Sequence, residues 1–199
     1  GRMSSQNPNM QNIPIKSTRG AAIRRAIVAP TGYTLLAADY SQIELRVAAF
    51  LSEDEKLIEY FEEGQDIHTA VAAQVFNVPQ ELVDKEMRRR AKAINFGILY
   101  GMGSNALAAA TNSSRKEAQE YLNEYFKKFA GIARYVEAIK AEVHSRGYTE
   151  TWFGRRRYFE GIRSPLPYIQ AAAERMALNA PIQGTQADII KIAMARMDK

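Results

Sequence analysis

Cysteine is absent from the sequence, which excludes disulfide bonds and metal centres built on thiolates. Histidine is scarce as well, and two histidines without cysteine make a zinc site a poor expectation. No apolar run approaches the roughly 18 residues that a membrane-spanning helix requires. These absences argue against a disulfide scaffold and a zinc centre, and they leave no candidate membrane helix in the sequence.

The composition is that of an ordinary globular protein with a moderate excess of positive charge. The 199 residues suffice for one sizeable domain or two small lobes. Hydrophobic residues make up 46% of the sequence and charged residues 25%. The net charge of +5 favours a polyanionic partner, although net charge alone speaks only to solubility and non-specific binding.

Helical periodicity and capping signals dominate from about residue 41 onward, which predicts an α+β fold that is mostly helical. The predicted helix N-caps are Ser52 (with Glu55), Asp66 and Ser114 (with Glu117). The first of these predicted helices ends at Gly64. The others cover 67–76, 85–100, 114–146 with a bend near 130–131, and, on either side of Pro181, 168–180 and 182–199. Pro79 is predicted to open a short helical turn. Strands are predicted at 148–153 and 155–159, with a second pair at 24–30 and 33–39.

The stretch 35–46 is predicted to be a buried strand that leads through a turn into a helix. Ser41 and Glu44 have the spacing of a capping box. Asp39 would then emerge where the strand ends, and a carboxylate on a rigid element can bind Mg²⁺. The amides at the start of the helix could meet anionic oxygens. The alternative is that Asp39 and Ser41 only cap the helix, and the stretch taken alone favours it.

The predicted helix 85–100 carries two cations and two aromatic rings at intervals of four residues. At about 100° per residue, side chains four apart drift by about 40° and therefore fan across one face. Guanidinium and ammonium groups suit phosphate oxygens, and an aromatic ring suits a sugar or base. The residues concerned are Arg88, Lys92, Phe96 and Tyr100. The alternative for an isolated helix is a solvated basic face with half-buried aromatics.

Considered together, these stretches resemble the family A DNA polymerases of the bacterial DNA polymerase I type. Residues 39–46 (DYSQIELR) resemble the family's motif A, and residues 88–101 (RRRAKAINFGILYG) resemble its motif B. Further runs in the family's order are GRMSS at 1–5, DIHT at 66–69, FGRRR at 153–157 and PIQGT at 181–185. The resemblance implies a partial right-hand polymerase fold: the N-terminal part of the palm at 1–51, the fingers at 52–165, and helices returning to the palm at 166–199.

The resemblance also implies a role for individual residues. Asp39, helped by the Tyr40 carbonyl, would hold two Mg²⁺ ions, and Arg88 and Lys92 would serve catalysis by holding the triphosphate. The other residues implied to bind the nucleotide are Gln42, Glu44 as a gate against the 2′-hydroxyl, His68, Phe96 and Tyr100. Arg2, Tyr100 and Gln183 would contact primer-template DNA. Each of these roles has a structural alternative. Without the resemblance, His68 is better explained as a helix-start residue; Glu44 could serve as both cap and gate, and Tyr100 could pack at the helix end beside Gly101.

The sequence departs from the family in one respect. Neither His68 nor His144 is followed by aspartate, so the His-Asp-Glu motif that supplies the second metal-binding aspartate is absent. We therefore expect a palm and fingers fragment that lacks the thumb and the rest of the palm and does not extend a primer alone. The expected partners are primer-template DNA and a deoxynucleoside triphosphate, with no membrane. The expected location is the bacterial cytoplasm at the nucleoid, with organelle or phage origin as alternatives.

Other functions compete with template-directed DNA synthesis. The chain could be a module that binds DNA or nucleotide without chemistry, or a helical scaffold for protein interactions. The single-subunit RNA polymerases share the implied architecture, but a gate at Glu44 against the 2′-hydroxyl favours DNA synthesis. Replication and repair duty are both compatible with the sequence.

Overall fold

The computed structural model describes residues 1–15 and 17–197, and the chain divides into two compact units, Gly1–Ser41 and Gln42–Lys199. The first unit contains a 3₁₀ turn, Met10–Asn12, and helix α1, Thr18–Arg25. The Ser17 side chain caps α1 by accepting a hydrogen bond of 3.1 Å from the Gly20 amide. Gly20 is buried, and a Cβ there would lie 2.2 Å from the Pro14 carbonyl oxygen, so this position requires glycine.

The predicted strand pair 24–30 and 33–39 is wrong, and so is the buried strand at 35–38. Arg24 and Arg25 form the last turn of α1, where cations favour the helix dipole. Residues 33–39 have no regular structure, and Leu36 is 90% exposed. A strand exists only when a neighbour satisfies its backbone groups, and within the described part of this unit no second strand does so.

The second unit is built from eight helices among its described residues, with one small hairpin. The helices are α2 (Ile43–Ser52), α3 (Glu55–Glu62), α4 (Ile67–Phe76), α5 (Lys85–Leu99), α6 (Ser104–Thr111), α7 (Arg115–Lys128), α8 (Ala130–Arg146) and α9 (Pro167–Met197). Short 3₁₀ turns lie at Gln80–Leu82, after Pro79 as predicted, and at Glu160–Arg163. Helix α4 packs against α5 and α7, while α9 packs against α2 and α8. The core between them includes Leu45, Leu57, Ile67, Val71, Ile94, Leu107, Tyr125, Phe129, Ile132 and Ile182.

Most predicted helix boundaries after residue 64 are confirmed. Asp66 caps α4, the Ser114–Glu117 capping box begins α7, and Gly147 ends α8 in the left-handed conformation. The predicted bend near 130–131 is a break between α7 and α8. The predicted hairpin is shorter than expected: β1, Tyr148–Glu150, pairs antiparallel with β2, Arg156–Tyr158.

The two predicted helices 168–180 and 182–199 are one helix, α9, with Pro181 inside it. Proline removes one backbone hydrogen bond and crowds the carbonyl four residues earlier, which is why a break was expected. Pro181, Ala177, Leu178 and Ile182 are all buried, so packing on both sides of the proline holds the helix in line. The predicted end of this helix at 198–199 lies outside the described residues.

Asp54, rather than Ser52, caps α3, and its carboxylate also binds the start of α8. One carboxylate oxygen accepts a hydrogen bond from the Leu57 amide at 3.2 Å. The other accepts from the amides of Gly131 and Ile132 at 2.8 and 3.3 Å. Asp54 is 3% exposed, and a Cβ at Gly131 would lie 2.6 Å from its Cα. One buried carboxylate therefore joins the N-termini of two helices.

Candidate nucleotide-binding site

Helix α5 has one buried face and one open face, as the spacing predicted. Ala91, Ile94 and Ile98 are buried against the core. On the open face, the side chains of Arg88, Lys92 and Tyr100 are exposed. The Phe96 ring on the same face is half-buried. The Phe96 and Tyr100 rings are stacked, with centroids 6.4 Å apart and an interplanar angle of 18°. The open face therefore presents two cations followed by two nearly parallel rings.

Asp66 joins the start of α4 to the first cation of this face. One of its carboxylate oxygens accepts from the Thr69 amide at 2.8 Å, and the other accepts from Arg88 Nη2 at 2.6 Å. Burial acts to raise the pKa of Asp66, but the hydrogen bonds from Arg88 and Thr69 outweigh it and lower the pKa to about 2. Asp66 is thus ionised at neutral pH and holds the Arg88 guanidinium at a defined place.

His68 is buried beside the aromatic part of the same face. Its Nδ1 lies 3.2 Å from Asn95 Nδ2, and its ring centroid lies 6.1 Å from that of Phe96. Burial lowers the pKa of His68; Asp66 acts to raise it, whereas Arg88 and Lys92 lower it further. The imidazole is therefore neutral at neutral pH.

Asn95 is a functional candidate that the sequence reasoning missed. It lies four residues after Ala91 and three before Ile98, which places a carboxamide on the buried stripe of α5. A polar residue on an otherwise apolar stripe is the signal that could have identified it.

Glu44 contacts the end of α5 and does not close a capping box. Helix α2 begins at Ile43, and its N-cap is Gln42, which takes a left-handed φ of 54°. The predicted box between Ser41 and Glu44 is therefore wrong, because Ser41 precedes the capping position. The Tyr100 hydroxyl donates a hydrogen bond of 3.0 Å to Glu44 Oε2. Glu44, Phe96 and Tyr100 are thereby brought together.

Gln183 lies half-buried on α9, next to a point where the hairpin is fastened to that helix. Arg155 donates to the Gly184 carbonyl at 3.0 Å and to Asp188 at 3.1 Å. Thr151 donates to the same carboxylate at 2.8 Å, and a Cβ at Gly184 would lie 2.4 Å from Thr151 Cγ2. Arg155 and Asp188 thereby form a partly buried ion pair between the hairpin and α9.

Asp39, Tyr40 and Arg2 lie in the first unit, and all three are exposed. Asp39 is the only acidic residue of positions 1–41, which also contain five lysines and arginines. A carboxylate and a neighbouring carbonyl are oxygen donors of the kind that Mg²⁺ prefers. In residues 1–15 and 17–197, however, no group of three acidic or histidine side chains is gathered that could hold a metal. The donors present therefore have the right chemistry and are too few to hold two ions.

Within the described residues, no helix is long and apolar enough to cross a membrane.

Comparison with known proteins identifies a family over the full length of the chain. The sequence profile of DNA polymerase family A matches residues 1–199. The chain is 52% identical over 198 residues to DNA polymerase I of Pseudomonas aeruginosa and 50% identical over 197 residues to the thermostable DNA polymerase I of Thermus aquaticus. These matches cover 100% and 99% of the chain but 22% and 24% of the relatives, so the chain spans less than a quarter of their length.

A solved structure agrees with the fold. The POL domain of Pol1 from M. smegmatis, in complex with DNA primer-template and dNTP, superimposes with a TM-score of 0.90 at 46% sequence identity. The match covers 100% of this chain and 35% of that one. The mostly helical architecture is therefore that of part of a polymerase domain.

Proposed function

Because the chain belongs to DNA polymerase family A, we propose that it is the part of a longer polymerase that binds the incoming deoxynucleoside triphosphate. The reaction would transfer a deoxynucleotide to a primer 3′ end under the direction of a template. The observation that carries the proposal is the open face of α5, with Arg88, Lys92, Phe96 and Tyr100 in line. The relative solved with primer-template and dNTP supports it.

The cations of the face would hold the triphosphate. Arg88 is held by Asp66 through one terminal nitrogen, and a guanidinium has further donors for phosphate oxygens. In the described part of the chain, no hydrogen bond or ion pair engages the Lys92 ammonium, which leaves it available to the same ligand. At an effective dielectric near 20, a unit charge pair at about 4 Å interacts by roughly 4 kcal/mol, so both cations would contribute where the bound nucleotide excludes water from the face.

The rings of the face would contact the base and the template. By the family resemblance, Phe96 would stack on the incoming sugar and base, and Tyr100 would occupy the template-base position until a nucleotide pairs. His68 would contact the triphosphate, and Gln42 would complete the nucleotide site. Arg2 and Gln183 would contact minor-groove acceptors near the primer end, which are alike in all correct pairs.

The metal requirement belongs to the proposal as well. Asp39 and the Tyr40 carbonyl would supply oxygen ligands to Mg²⁺, and further ligands would have to come from the rest of the longer polymerase. The chemistry that bound metal would supply is activation of the primer hydroxyl and charge stabilisation of the leaving pyrophosphate. The second aspartate of the family's His-Asp-Glu motif does not occur in the sequence. We therefore expect these 199 residues alone not to extend a primer, with the thumb and the rest of the palm supplied by the longer protein.

The palm at 1–51, the fingers at 52–165 and the returning helices at 166–199 remain part of the proposal, as does a cytoplasmic location at the bacterial nucleoid. The alternative is a module that binds DNA or nucleotide without chemistry. The absence of the second aspartate favours that alternative for the 199 residues taken alone. A reading frame that encodes His-Asp-Glu downstream of Lys199 would support the enzyme, and a natural stop codon would support the module.

We expect Glu44→Ala, introduced into the complete polymerase, to raise ribonucleotide incorporation far more than it lowers deoxynucleotide turnover. Glu44 is half-buried and accepts a hydrogen bond from the Tyr100 hydroxyl, which supports the proposal that its side chain crowds a sugar 2′ group. Removing it should lower the ratio of kcat/KM for the deoxynucleotide to kcat/KM for the ribonucleotide by a factor on the order of a hundred. Steady-state incorporation of matched ribo- and deoxynucleotides measures this ratio.

Glu120→Ala is a suitable control, because Glu120 is an exposed glutamate on α7. It should leave the discrimination ratio unchanged. Equal loss on both sugars in Glu44→Ala would mean that Glu44 serves the fold and not the choice of sugar.

A further inference from the structure

We propose that Asn95 is a positioning residue that fixes the imidazole of His68 in the tautomer with its proton on Nε2. The ring then offers an N–H donor to an anionic oxygen of the bound triphosphate. This inference rests on the proposed function of the α5 face, and it adds a residue to which the sequence assigned no role.

The geometry places the two side chains in a closed environment. Asn95 is 0% exposed and His68 is 5% exposed, on helices α5 and α4, which pack against each other. Asn95 Nδ2 lies 3.2 Å from His68 Nδ1. When the carboxamide nitrogen donates, Nδ1 must be the acceptor, so the proton of a neutral ring resides on Nε2.

The opposite arrangement would defeat anion binding. If the Asn95 carbonyl oxygen faced the ring, it would require a proton on Nδ1 and leave a lone pair on Nε2. A lone pair on Nε2 repels a phosphate oxygen, whereas an N–H attracts one. A fixed tautomer therefore decides whether the ring binds or repels the ligand.

Asn95 destabilises the folded state, and packing alone does not explain why a carboxamide stands at this position. Its Oδ1 is buried and has no hydrogen-bond partner within the described structure. A buried acceptor without a partner destabilises the folded state, so an apolar side chain of similar size would suit this stripe of α5 better. The bond to His68 is the contact that accounts for a carboxamide at this position.

Burial is the main cause that lowers the pKa of His68 and favours the neutral ring, so that the tautomer decides what the ring offers. Asp66 at the start of α4 acts to raise this pKa, whereas Arg88 and Lys92 on α5 lower it.

The tautomer can be measured without nucleotide. In the chain labelled with ¹⁵N-histidine, we expect at pH 7.5 an acceptor-type Nδ1 and a protonated Nε2 for His68, assigned by loss of its signals in His68→Gln. Asn95→Asp should move the proton to Nδ1, because a carboxylate only accepts. Asn95→Leu, which keeps the branching and the number of side-chain heavy atoms but cannot hydrogen-bond, should give a mixture of tautomers in a chain that still folds.

Asn123→Asp is the matched control, since Asn123 is exposed on α7, and it should leave the His68 pattern unchanged. Two results in the unaltered chain would overturn the proposal: a lone pair on Nε2 of His68, or protons on both of its nitrogens. An unchanged pattern in Asn95→Asp would overturn it as well.

A second arm uses dATP as the probe. Loss of one hydrogen bond to a charged group should weaken binding by about tenfold in Asn95→Asp. In a double-mutant cycle the same substitution should have little effect when His68 is already glutamine. Additive losses would show that Asn95 acts through the fold and would overturn the proposal. Failure of the unaltered chain to bind dATP would count against the proposed function, while the tautomer measured without nucleotide decides the role of Asn95.

Discussion

Asp39→Asn, in the complete polymerase that contains these residues, is expected to lower the rate of nucleotide incorporation by roughly a thousandfold or more. Metal ions stabilise charge in the transition state by several kcal/mol, and each 1.36 kcal/mol corresponds to about tenfold in rate. Asp39 is the only acidic residue in positions 1–41, so no neighbouring carboxylate within that unit can replace it. Single-turnover incorporation with saturating dNTP measures the effect.

Asp84→Asn is the matched control for this substitution. Asp84 is an exposed N-cap on α5 whose carboxylate accepts from the Met87 amide at 2.7 Å, and asparagine caps equally well. It should incorporate at close to the unaltered rate. Primer-template affinity should be preserved in both variants, and a loss of less than about tenfold in Asp39→Asn would remove Asp39 from the metal site. The 199-residue chain alone should incorporate no nucleotide, whether position 39 is aspartate or asparagine.

Asp54→Ala is expected to cost the second unit about 3 kcal/mol or more of its free energy of unfolding. The substitution leaves three amides without their acceptor, at the starts of two helices. Each buried donor without a partner costs about 1–3 kcal/mol, and loss of an exposed cap alone costs about 1 kcal/mol. Urea unfolding of the chain, followed by far-ultraviolet circular dichroism, measures the difference.

Asp84→Ala provides the comparison, because it removes an exposed cap that serves one helix. We expect a loss of about 1 kcal/mol there. Similar losses in the two variants would mean that the link from Asp54 to α8 contributes nothing. If Asp54→Ala does not fold, Asp54→Asn, which retains one acceptor oxygen, takes its place, and its loss should exceed that of Asp84→Ala.

The sequence predicted those features whose causes are local. Asp66 at the start of α4 and the Ser114–Glu117 box at the start of α7 depend on residues three positions apart, and both are confirmed. The division of α5 into a buried and an open face follows from helical periodicity alone, and it is confirmed as well.

The features that the sequence did not predict depend on partners distant in the chain. Asp54 displaces Ser52 as the cap of α3 while it also binds Gly131, 77 residues away. The prediction of a buried strand at 35–38 is wrong because four apolar residues do not supply a pairing partner. Pro181 was expected to break a helix that burial on both sides keeps continuous.

In the candidate site, too, the features with local causes could be predicted and those that depend on distant residues could not. The open face of α5 could be predicted, because its members lie on one helix. The contact between Asn95 and His68 joins residues 27 positions apart on two helices, and the hydroxyl bond from Tyr100 to Glu44 spans 56 positions. No local pattern encodes such contacts, because they arise only when helices pack.

The central claim is that the open face of α5 binds the triphosphate, and binding of dATP to Lys92→Ala tests it most directly. Isothermal titration of the chain and of the variant should show dATP binding weakened by about tenfold, as expected for loss of a hydrogen bond to a charged group. Affinity for primer-template DNA should be unchanged, and Lys116→Ala, which removes an exposed lysine of α7, should alter neither. Unchanged dATP binding together with weakened primer-template binding in Lys92→Ala would contradict the claim and assign this face to DNA.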